Sequence, residues 1–174
     1  INQASIPEQT VVLVEAGLPS SIMESLAIFW PRERIVCVER GHACDVGVLY
    51  HFSDSAEIWE PKVGYVYRGD EYRVCPTAIA WMANYVKAHC GGEGTDSNKT
   101  YLISPPGGNG RNIVNQQALV TELQRDGFQL LRPETKSFSQ QVRSLSSTGL
   151  AILGSGAAAA NLLWMAPGST MVIL

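Results

Sequence analysis

"LAILGSGAAAANLLWMAPGSTMVIL", residues 150–174, carries the plan of the fold. An apolar run ends at Leu153, and Gly154-Ser155-Gly156 turns directly into Ala157–Met165, where four consecutive alanines precede Asn161. Pro167-Gly168 stops that segment, and "TMVIL" (170–174) is a last buried strand. Strand, glycine turn, short helix and strand in this order predict parallel strands joined by a crossover. The small side chains from Gly154 to Ala160 leave two readings: two elements pack very closely there, or a ligand comes close to bare backbone.

The pattern continues upstream. "SFSQQVRSLSSTG" (137–149) is a helix capped by Ser137, and "FQLLRP" (128–133) is a strand. "VNQQALVTELQRDG" (114–127) is an amphipathic helix with Asn115 as its N-cap and Gly127 as its C-cap. Before it come the glycine-rich loop "PPGGNGRN" (105–112) and the strand "TYLIS" (100–104). "GGEGTDSN" (91–98) breaks all periodicity and reads as a hinge, which divides the chain into lobes 1–96 and 97–174. In the first lobe, "CPTAIAWMANYVKAHC" (75–90) is a helix with Pro76 in its first turn, and 53–73 is a long loop. "TVVLVEA" (10–16) is a strand buried on both faces, and Ser20 caps a helix running to Trp30. "RIVCVE" (34–39) and "DVGVLYHF" (45–52) are further strands, the first with Cys37 as a buried thiol. Strands alternating with helices predict an α/β protein, two lobes with parallel sheets covered by helices.

Composition narrows the function classes. With 45% hydrophobic and 17% charged residues, 174 residues can bury a substantial core. Thirteen basic against 16 acidic residues give a net charge of −3 without a long run of either sign, which argues against a nucleic-acid surface. No apolar run reaches the roughly 18–20 residues of a membrane span. The start at Ile1, without Met or a signal pattern, reads as a chain trimmed or excised from something longer. Cys37, Cys44, Cys75 and Cys90 form no C-x-x-C, and their spacing to His42 and His89 matches no zinc pattern, so free thiols and no metal are expected.

Two loops carry the chemistry. The 154–156 turn leads from a strand into a helix, so its N–H groups and the helix dipole favour a phosphate, while close helix–sheet packing accounts for the same small residues. The 105–112 loop follows a strand of the same sheet, and Arg111 is its only cation; its guanidinium suits a diphosphate or stands solvated.

The whole second half of the sequence resembles the glycosyltransferases of family 61 and bacterial relatives that make capsular polysaccharide. The resemblance lies in the order of short motifs. Arg111-Asn112-Ile113-Val114-Asn115-Gln116 matches Arg-x-x-x-Asn-Glu at a helix start; Gly127-Phe128 and Pro133-Glu134 follow, and then Ser137-Phe138-Ser139-Gln140-Gln141. Ser155-Gly156-Ala157, Asn161-Leu162-Leu163 and Pro167-Gly168-Ser169 match His-Gly-Ala, Asn-Leu-Leu and Pro-Gly-Ser. The chain departs from the pattern at Ser155, where the family has histidine, at Pro105 for an arginine, and at Gln116 for glutamate.

The resemblance implies a GT-B architecture, two Rossmann-like lobes around a cleft, with a final helix expected beyond Leu174. It implies inverting, metal-independent transfer, with no cofactor, from a nucleotide-sugar donor to a glycan acceptor in cell-surface or capsular polysaccharide synthesis. The donor side would be formed by Arg111, Asn115, Gly154, Ser155, Gly156, Ala157 and Asn161, and the first lobe would present the acceptor. A general base must then take the acceptor's proton. His42 and Asp45 are the candidates, although both also read as ordinary loop residues. The three departures each remove a charged or protonatable group, which keeps open a catalytically degenerate lobe pair that binds a nucleotide or glycan, or acts as a scaffold. An unrelated nucleotide-binding domain is the third alternative. The expected location is the cytoplasm, or the secretory-pathway lumen if the source is eukaryotic.

Overall fold

The elements run β1 (Val12–Glu15), α1 (Ser20–Phe29), β2 (Ile35–Val38), the two-residue strands β3 (Ala56–Glu57) and β4 (Arg73–Val74), and α2 (Pro76–Cys90). There follow β5 (Asn98–Leu102), α3 (Gln116–Arg125), β6 (Gln129–Leu131), α4 (Phe138–Ser146), β7 (Thr148–Leu153), a 3-10 helix (Ala157–Trp164) and β8 (Thr170–Ile173). The computed structural model describes residues 7–50, 56–57, 73–92, 94, 98–103 and 113–174, and of 56–57, 73–74 and 157 the backbone alone. The chain is a mixed α/β protein with parallel sheets.

The second half builds a four-stranded, all-parallel sheet in the order β6-β5-β7-β8. The side chains of β6, β5 and β7 alternate between two covered faces, as a strand period of two requires, while the edge strand β8 is largely exposed. Leu102, Leu131, Ala151 and Leu153 face α2, α4 and the 3-10 helix through Val86, Cys90, Val142, Leu145 and Trp164. Tyr101 and Ile103 face α3 through Val120 and Leu123, with Leu150 and Ile152 alongside. The helix ends follow local chemistry. Ser137 Oγ accepts the Gln140 N–H at 3.3 Å while Gln140 Oε1 accepts the Ser137 N–H at 3.0 Å, a capping box that starts α4. Gly127, at φ +84°, ends α3: its N–H donates to Gln124 O and that of Phe128 to Leu123 O, while Phe128 and Leu123 share one core.

The first half pairs β1 with β2 in parallel, and β3 with β4 antiparallel. Its helix α1 turns to the other half: Ile28 and Phe29 pack against the second sheet's core, and Glu24 Oε2 accepts the Phe138 N–H at 2.6 Å. α2, which precedes the glycine stretch, packs against that core as well.

Several local expectations are corrected. β1 is not buried on both faces, since its residues alternate between half-buried and exposed. Nor is 170–174 a buried strand, since β8 lies at the sheet edge with Val172, Ile173 and Leu174 exposed. Cys37 is exposed, because neither core cluster among the described residues reaches a residue of β2. Residues 45–50 form no strand, and 51–52 lie outside the described residues. Ser20 is the first helical residue rather than the cap, a position that falls to Pro19. Asn115 occupies the N-cap of α3 but makes no capping hydrogen bond with its side chain; α3 is instead held there by the Asn115 carbonyl, which accepts the Leu119 N–H.

Candidate functional site

Strand order locates the candidate cleft. The chain leaves β5 toward β6 on one side, then returns to place β7 and β8 on the other, so the order reverses between β5 and β7. In an open parallel sheet the loops diverge at such a point and leave a crevice at the carboxyl ends of the strands. The two loops there follow Leu102 and Leu153, which are paired in register. They are the glycine-rich loops singled out in the sequence. Of the first, residues 104–112 lie outside the described residues, and Arg111 with them.

The second loop is well defined and more constrained than a free phosphate loop. The Ser155 N–H donates to Leu174 O at 3.1 Å, and the Leu174 N–H to Leu153 O at 2.9 Å, extending the β7–β8 ladder past both strand ends. That amide is therefore engaged, and Ser155 offers its exposed hydroxyl. Gly156 has φ +142° and ψ −162°, a backbone state open essentially to glycine alone. It turns the chain into the 3-10 helix, whose first amides have no intrahelical carbonyl to donate to.

The alanines divide by role. Ala158 and Ala159 pack against the core beside Trp164, where the 3-10 helix approaches α2 and α4, while Ala160 is exposed. Close packing thus accounts for part of the small-residue stretch. The turn around Gly154 to Ala157 follows the carboxyl end of β7, and only the backbone of Ala157 is described. Asn161 is half-buried within the 3-10 helix, and Asn115 is exposed at the start of α3, which follows the first loop.

On the other sheet, Glu15 and Val38 end β1 and β2 in register, and a shallow depression of about 350 Å³ lies at those carboxyl ends. Glu15, Glu39, Arg40 and His42 line it. The His42 N–H donates to Glu39 O at 3.0 Å, closing the turn that presents the imidazole. Asp45 is exposed and not among the lining residues. Arg40 Nε meets Glu15 Oε1 at 2.8 Å, an ion pair so exposed that it contributes little to stability. The sequence reading missed this pair. Glu15 ends β1 and Arg40 lies two residues past β2, and only the parallel pairing of the two strands sets them side by side.

No helix among the described residues is long and apolar enough to cross a membrane. A search of the curated proteins finds no match. The model of the family described as glycosyltransferase 61 matches residues 22–172, which includes most of α1, all of β2 and the four-stranded sheet up to Val172. A match over most of the chain, on top of parallel sheets with two glycine loops at one switch point, means that the chain belongs to the glycosyltransferase 61 family.

Proposed function

We propose that the chain transfers a sugar from a nucleotide-sugar donor to a glycan acceptor, with the donor diphosphate in the crevice between β5 and β7. One observation carries the reading: the two glycine-rich loops follow neighbouring parallel strands on either side of the order reversal. The helix-start amides after Gly156 and the Ser155 hydroxyl would meet the diphosphate from one side, and Arg111 from the opposite loop. Asn115 and Asn161 would complete the donor side. The β1–α1–β2 unit would form a second lobe around the cleft, with the acceptor held near the depression that His42 lines. His42 is then the better placed of the two base candidates, since it follows the carboxyl end of a strand. Cell-surface or capsular polysaccharide is the proposed product class, made without a metal or other cofactor.

A thermal-shift panel with UDP, GDP, CMP and TDP tests the donor side. A nucleotide at a hundredfold excess over Kd should stabilise the protein by about 2.7 kcal/mol. Arg111→Ala should then weaken that nucleotide by about 1.5–3 kcal/mol, the scale of a charge-assisted hydrogen bond. No shift with any nucleotide would sink the proposal. Ser155 in place of histidine, with its N–H tied to Leu174, favours a second reading in which the cleft binds but does not catalyse. Nucleotide binding without sugar transfer or donor hydrolysis would select it.

A further inference from the structure

Three aromatic rings meet where α1 ends on α2. Phe29 stacks on Tyr85 at 5.4 Å between ring centroids and lies 6.3 Å from Trp81. Trp81 and Tyr85, one helical turn apart, lie 5.4 Å from each other with planes only 21° apart. Phe29 is half-buried and braces the other two, yet Trp81 remains 47% exposed and Tyr85 44%. The solvent stripe of α2 around them is Thr77, Ala80, Asn84 and Ala88, with His89 one turn beyond Tyr85. The alanines leave the rings uncovered, and the amide and hydroxyl offer hydrogen bonds beside them. From Pro76 to Val86 the helix carries no charged residue.

This stripe lies toward the cleft end of the sheet. The C-terminus of α2 sits at the amino ends of the strands, since a Cβ on Gly92 would come within 2.5 Å of Ser146 Oγ and the Asn98 N–H donates to Ser147 O. Trp81 lies nine residues back from Cys90, about 13 Å along the helix, close to the length of a five-residue strand. The rings thus stand on the flank of the sheet near its carboxyl edge, outside the crevice itself.

We propose that Trp81 and Tyr85 form a stacking platform for a neutral glycan chain. The axial C–H groups of a pyranose ring present an apolar, weakly positive face, which suits the negative face of an aromatic ring, and the sugar hydroxyls at the rim can reach an amide such as Asn84. A half-exposed Trp and Tyr offer together about 200 Å², the footprint of one or two sugars and far below the roughly 800 Å² per partner of a stable protein interface. The helix brings only Lys87 and His89 near the rings, too little basic charge for an anionic lipid surface or a nucleic acid. The choice of a glycan as occupant rests on the proposed glycosyl transfer; the platform would hold the acceptor chain beyond the reacting sugar.

Affinity electrophoresis through gels containing arabinoxylan, galactomannan or dextran tests this. At least one gel should retard the protein, and Trp81→Ala and Tyr85→Ala should each weaken that retardation about three- to tenfold. Trp81→Phe, which keeps a ring, should retain most of it. Nucleotide-induced thermal shifts should be the same in all variants, and melting temperatures identify any variant that fails to fold, in which case the remaining two decide. Lack of retardation in every gel, unchanged retardation in both alanine variants, or a change of oligomeric state on ring removal would each overturn the platform. Retardation that depends on Trp81 and Tyr85 without any nucleotide shift would instead uphold the platform and sink the donor site.

Discussion

In β2 the neighbouring residues Val36 and Cys37 are both exposed, whereas in β5 the neighbouring Tyr101 and Leu102 are each only 1% exposed. Both strands belong to parallel pairs, and it is β2 (IVCV), not β5 (NKTYL), that reads as the more apolar run. The difference lies in what covers them. α3 lies over one face of the β5 sheet, and α2, α4 and the 3-10 helix over the other. α1 packs on α4 and turns Ile28 and Phe29 to the second sheet's core, and among the described residues none before Ala83 is buried. A strand's burial is thus set by the elements that reach it rather than by its own hydrophobicity. Parallel strands need cover on both faces, and one helix cannot serve two sheets.

The contrast is open to direct attack. Leu145 is fully buried between α2 and the sheet, so Leu145→Ala should cost about 3 kcal/mol in urea unfolding, while Val36→Ala, at a 40% exposed site, should cost less than about 1 kcal/mol. Equal costs would show that the first half buries as much as the second. Gly156→Ala places a side chain where φ is +142°, and it should cost about 1–3 kcal/mol and abolish any nucleotide-induced shift. An unaffected Gly156→Ala protein would remove this turn from the site.

Glu24 tests the tie between the halves. It accepts the first N–H of α4 from a position 114 residues earlier, so Glu24→Ala should cost about 1 kcal/mol although no core residue changes. A cost near zero, read by the same urea titration, would mean that apolar packing of Ile28 and Phe29 alone holds α1. The smallest effect concerns alkali. Burial raises the Tyr101 pKa above its ordinary 10.0, so the folded state keeps this phenol protonated where the unfolded state releases it. That contribution is fully present below pH 10 and is lost as pH rises through the folded-state value. Tyr101→Phe should therefore flatten the fall of stability above pH 10 and leave neutral pH largely unchanged.

The regular elements of the second half were legible in the sequence because their signals are local. Ser137 with Gln140 writes a capping box, Gly127 writes a helix end, and the alternation of Leu130 with Leu131 writes a strand covered on two sides. The family resemblance was legible on similar grounds, as a fixed order of short motifs from Arg111 to Ser169. Other properties needed the tertiary structure. That Ser155 has its amide engaged depends on Leu174, which only the β7–β8 pairing brings alongside. That Ala158 and Ala159 serve packing depends on where α2 and α4 lie. Cys37 and the β1 run looked buried because hydrophobicity records how well a residue tolerates burial, not whether a partner arrives. Local backbone preference and capping act over a few residues and so can be read along the chain. Burial, register and strand order are settled between segments far apart in sequence, and these decided which amides, rings and loops were left facing outward.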